Sequence, residues 1–145
     1  MKDQEIENKK IWFRRYGKLV EVEDRLKNRL VILEDKLQGV RSPNYSGMPR
    51  GGRPVTVADL IADKEELEDR ISKAHDRSLQ CRRELLEVID NLEDPIHAEV
   101  LELYFIGRMS IDQIAEDLGY NTRSIYRLYA DAIALADIPK QDLHL

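Results

Sequence analysis

The stretch SIDQIAEDLGYNTRSIYRLY, residues 110–129, decides the reading of this chain. Ser110 and Gln113 have the spacing of a capping box, in which each side chain satisfies the other residue's backbone N–H. They predict a short helix that runs to Leu118 and stops at Gly119. Glycine accepts the positive φ that a tight turn after a helix requires. Asn121 then predicts the N-cap of a further helix, on which Ile125, Leu128, Tyr129 and Ala132 share one face. Ala115 is small where two crossing helices need close approach. Ile111, Ile114, Leu118, Ile125 and Leu128 are apolar where the pair must be pinned to a preceding helix. Together these are the requirements of a helix-turn-helix. A plain helical hairpin with a C-terminal glycine meets only some of them.

In a helix-turn-helix the second helix enters the major groove N-terminus first. Its outward residues here are Thr122, Arg123, Tyr126 and Arg127. Arg123 and Arg127 stand one turn apart, suited to guanine edges or phosphates. Tyr126 suits a phosphate or a thymine methyl. Thr122 and Ser124 suit phosphate at the helix N-terminus. The alternative for the arginines is pairing with local acids such as Asp131.

Upstream, Asp94-Pro95 has the form of an N-cap followed by a first-turn proline. The helix it opens carries Val100, Leu101, Leu103, Tyr104 and Phe105 and ends at Gly107. Residues 92–138 therefore read as a three-helix module, and 139–145 as a tail.

Residues 1–91 follow a different pattern. Trp12, Tyr16, Leu19, Glu23, Leu26, Leu30, Leu33 and Leu37 recur at alternating steps of four and three, a heptad seam on a helix starting near Asp3. A second seam, Val57, Leu60, Lys64, Leu67, Ile71, Ala74, Ser78, Cys81, Leu85, Val88 and Leu92, predicts a helix over 57–91. Thr56 and Asp59 resemble a capping box at its start. Antiparallel, with Leu30 facing Leu67, the bulky end of the first seam meets the small middle of the second: Tyr16 faces Cys81 and Trp12 faces Leu85. Glu23 and Lys64 are polar seam positions that fix register at some cost in stability. The seams equally suit pairing between chains, so a hairpin and a homo-oligomer through the long helices are both open.

The expected fold is thus all-α: a long, coiled-coil-like antiparallel hairpin followed by a helix-turn-helix module. The connection GVRSPNYSGMPRGGRPV, 39–55, is longer than helix–helix loops need. Its Arg41, Arg50 and Arg53 suit an arm that contacts phosphate or a partner. Three arginines in this length are not a dense patch, which favours a solvated linker.

The net charge of −5 is unevenly spread. Residues 1–38 carry ten Lys/Arg against eight Asp/Glu, whereas residues 94–138 carry three against eight. Two of those three are Arg123 and Arg127. So acidic a module predicts weak DNA binding by an isolated monomer and a shallow salt dependence. It calls for a second reader, a dimer mate or RNA polymerase.

Enzyme chemistry has little support. His75, His97 and His144 have no metal-site spacing, Cys81 sits in a helix seam, and no glycine-rich phosphate loop follows a strand. No catalytic residue, metal or cofactor is expected. The polar N-terminus, the single cysteine and the lack of a membrane-length apolar run predict a soluble protein of a bacterial cytoplasm, with no membrane partner.

Residues 92–136, LEDPIHAEVLELYFIGRMSIDQIAEDLGYNTRSIYRLYADAIALA, resemble region 4 of bacterial sigma factors. The resemblance rests on Val100-Leu101-x-Leu103-Tyr104, Gly107-x-x-Ser110, Ile114-Ala115, Leu118-Gly119, Ile125 and the small-residue tail from Ala130 to Ala134. The order of long helices, SGMPRG at 46–51 and a sigma-like C-terminus is similar to small phage-encoded regulators of Gram-positive bacteria of the RinA and ArpU types. The resemblance implies promoter recognition on double-stranded DNA, contact with RNA polymerase, and Thr122, Arg123, Tyr126 and Arg127 as the DNA-facing set. Two other functions compete. One is a small-terminase-like packaging component, although those usually carry the DNA-binding part first. The other is a sigma-like interaction module without direct DNA contact.

Overall fold

A computed structural model describes residues 2–41 and 55–140. All regular structure among them is helical, as the sequence predicts: α1 (Lys2–Arg41), α2 (Val57–Asp90), α3 (Pro95–Leu101), a π-helical turn (Glu102–Ile106), α4 (Ile111–Leu118) and α5 (Thr122–Leu135). No helix among the described residues is long and apolar enough to cross a membrane. Arg50, Arg53 and the side chain of Arg41 lie outside the described residues. Gly39 does not end α1, which runs on to Arg41. One interior glycine costs a helix only about 0.5–1 kcal/mol relative to alanine.

The chain forms two compact units, Leu19–Arg77 and the pair of segments Met1–Lys18 and Ser78–Leu145. The boundary expected from the sequence, between residues 91 and 92, falls at the turn between α2 and α3. Both α1 and α2 contribute residues to each unit.

In the unit Leu19–Arg77, α1 and α2 lie antiparallel. Leu26, Leu67 and Ala74 are its buried centre, with Leu30, Leu33 and Ile71 packed against them. Glu34 pairs with Lys64 at 4.0 Å and Glu23 with His75 at 3.1 Å across the two helices. Glu23 is 6% exposed. A buried carboxylate needs partners to offset its lost hydration. Lys27, one turn along, donates to it at 2.7 Å, and Nδ1 of His75 meets the same oxygen. The hydrogen bond to Glu23, and then its charge, push the Lys27 ammonium pKa up.

In the other unit, Phe13, Leu85, Ile89, Val100, Leu101, Ile114, Ile125 and Ile133 are fully buried. Phe13 stacks on Phe105, with ring centroids 4.9 Å apart and 20° between planes, and meets the edge of Trp12 at 5.0 Å. The Arg15 guanidinium lies 4.7 Å from the Trp12 ring centroid and donates to Glu84 at 3.2 Å. Lys9 donates to the carbonyl of Ala134 at 2.9 Å. A cation there completes an orphan carbonyl in the last turn of α5 and complements the helix dipole.

The sequence predicts one helix from Pro95 to Gly107, and here the structure differs. After Leu101 the hydrogen bonds lengthen to a π turn, which ends with Gly107 N–H donating to the Glu102 carbonyl at 2.9 Å. A Cβ on Gly107 would lie 2.8 Å from the Leu103 carbonyl oxygen, so only glycine fits this close approach. Arg108 follows with φ of 57°, in the left-handed region.

Candidate nucleic-acid interface

The turn and its caps form as their residue types require. Ser110 N–H donates to Gln113 Oε1 at 2.8 Å, and Gln113 N–H donates to Ser110 Oγ at 3.1 Å. Gly119 closes α4 at φ 74°, which lets Tyr120 N–H reach back to the Ala115 carbonyl at 3.0 Å. That is the Schellman pattern, whose left-handed residue is costly for any side chain with a Cβ. Asn121 Oδ1 then accepts from Ser124 N–H at 2.8 Å and starts α5.

Packing orients α5. Val100, Ile114, Ala115 and Ile125 are the buried centre of the module, with Ile111, Leu118, Leu128 and Tyr129 against them. Ala115 is 5% exposed, so the small residue sits inside the crossing. Burying Ile125 and half-burying Leu128 leaves Thr122, Arg123, Tyr126 and Arg127 exposed. Tyr126 is 59% exposed. Ser124 is half-buried at the cap.

The named side chains are not equally available. Thr122 Oγ1 donates to Asp112 Oδ1 at 3.2 Å, so its hydroxyl is engaged and the first turns of α4 and α5 are tied together. Among the described residues Arg123 and Arg127 form no ion pair, and the i,i+4 contact from Arg127 to Asp131 is not made. Four residues of helix separate the two guanidinium-bearing positions by about 6 Å along the axis. Tyr120, directly after the left-handed glycine, is 46% exposed.

Behind this face Tyr129 packs on Tyr104, with centroids 4.9 Å apart. Burial first, and the neighbouring Tyr104 second, push its hydroxyl pKa up from 10.0 to about 12. The folded state thus holds this proton more tightly than the unfolded chain. That contribution to stability is complete below pH 10 and is lost as pH rises towards about 12. The thermal midpoint should fall across this interval, and Tyr129→Phe should flatten the fall. An equally steep fall in the variant would remove Tyr129 as its source.

The arrangement can present two cations and an aromatic hydroxyl on a rigid helix face. No curated protein matches this chain, and no solved structure does. A family model covers residues 40–137, from the end of α1 to just beyond α5, and by that match over more than half its length the chain belongs to the family described as "Protein of unknown function (DUF1492)".

Proposed function

We propose that this protein is a sequence-specific DNA-binding transcription regulator, encoded by a phage or prophage, and a binding protein rather than an enzyme. α5 lies in the major groove, with Arg123 and Arg127 reading base edges and Thr122, Ser124 and Tyr126 contacting the backbone or a thymine methyl. One observation carries the reading: α5 buries Ile125 while holding Arg123 and Arg127 exposed and outside any ion pair among the described residues. Arginines without a local partner, on the outward face of a capped helix after a left-handed glycine turn, are what major-groove recognition requires.

The resemblance of residues 92–136 to sigma region 4 supports the same reading and extends it to contact with RNA polymerase. The acidic balance of the module supports action in an assembly, with polymerase or as an oligomer through the long helices. Few phosphates are neutralised by one copy, so one copy binds weakly.

Selection from a randomised duplex library, with mass measurement of the bound species, tests this. Enrichment of a defined motif is expected, bound by more than one copy or together with added polymerase. Recovery of random sequence only, under both conditions, would sink the proposal.

A further inference from the structure

A groove of about 400 Å³ opens beside the first turn of α4. Arg14 of α1 and Arg108 of the turn before α4 both line it, together with Gly17, Ser110 and the aromatic side chains of Phe13 and Tyr104. We infer that Arg14 and Arg108 form a phosphate-binding site that holds the DNA backbone next to the groove read by α5. The inference rests on the DNA-reading proposal and adds to it a surface to which α1 contributes.

Three observations carry it. First, Arg14 and Arg108 both line one open groove, and a guanidinium fork matches a phosphate's oxygens. Arg14 is held only loosely within the protein, at 3.7 Å from Glu7, with both side chains about half exposed. An exposed pair of that length yields readily to a phosphate.

Second, the backbone at this groove is fixed by its own hydrogen bonds. Arg108 has φ of 57°, where glycine is the unstrained residue. It closes the preceding turn, where Met109 N–H donates to the Leu103 carbonyl at 3.0 Å, and so fixes the point at which the Arg108 side chain leaves the backbone. Gly17 lies inside α1, where alanine favours the helix, and a Cβ there would meet nothing within 4 Å. The absence of a side chain keeps this part of the groove open.

Third, the groove reaches the first turn of α4, which a hydrogen bond ties to the first turn of α5. Ser110 at its border caps α4, whose Asp112 accepts from Thr122 at the first turn of α5. A duplex with α5 in its major groove therefore carries a backbone past the start of α4, which is how the first helix of such a motif meets DNA.

Phosphate contacts and base contacts leave different signatures. Arg14→Gln and Arg108→Gly remove one guanidinium each, and glycine at 108 relieves the backbone. Circular dichroism confirms folding before binding is measured. Anisotropy titrations over a KCl series use a duplex recovered by the selection and a scrambled duplex. Each substitution should make the slope of log K against log salt shallower by about 0.9. Affinity for the two duplexes should fall by the same factor. An unchanged slope while the wild-type protein still binds would overturn this inference alone, as would a loss confined to the selected duplex. Failure of the wild-type protein to bind either duplex, both alone and with added polymerase, would overturn both this inference and the DNA-reading proposal.

Discussion

Replacing Arg123 and Arg127 together with alanine should remove sequence-specific duplex binding while leaving the helical signal unchanged. A bidentate arginine–guanine contact contributes about 1–3 kcal/mol of discrimination. Loss of two such contacts corresponds to roughly 30-fold to 10⁴-fold weaker binding of the selected sequence. Scrambled duplex should lose much less, because it offers these side chains phosphate attraction only. Both residues are exposed and make no ion pair among the described residues, so their removal breaks nothing in the fold. A competition titration with selected and scrambled duplexes reads the ratio directly. Unchanged discrimination by the double variant would refute the assignment of α5 as the reading helix.

The second large effect concerns stability. Phe13→Ala should destabilise the protein by about 3–5 kcal/mol, the usual cost of emptying a phenylalanine site in a core. Phe13 is 0% exposed, and its ring lies between Trp12 and Phe105. A loss of that size is a large share of the roughly 5–15 kcal/mol by which domains are stable. Ile11, two residues earlier, is 53% exposed and provides the comparison. Ile11→Ala should change stability by about 0.5 kcal/mol or less. Urea unfolding of both variants measures this as a drop in midpoint at constant slope. Equal midpoints for the two would show that the contact between Phe13 and Phe105 does not hold the unit together.

The sequence by itself determined the features that depend on near neighbours. The Ser110–Gln113 box, the left-handed Gly119, the Asn121 cap and the Thr56–Asp59 box all form within three or four residues. Their geometry follows from residue type and spacing. The two seams were legible for a similar reason, since a helix packed against one partner buries a regular stripe. Leu26, Leu37, Leu60, Leu67, Ala74, Ser78, Cys81 and Leu85 are all buried as that stripe requires, and Glu23 with them. The outward face of α5 followed from its buried one.

Other features were decided only by tertiary structure. Phe13 and Ile89 lie off the heptad seams yet are both fully buried. A seam describes one contact face, and periodicity cannot show that a second face is covered by residues some 90 positions away, as Phe105 covers Phe13. The π turn before Gly107, the left-handed Arg108 and the bond from Thr122 to Asp112 have the same origin. Each is set by the room that packed neighbours leave to the backbone. The two capped helices and the glycine turn of residues 110–129 were therefore readable because their determinants are local. The groove of Arg14 and Arg108 was not, because it exists only once two distant segments have packed together.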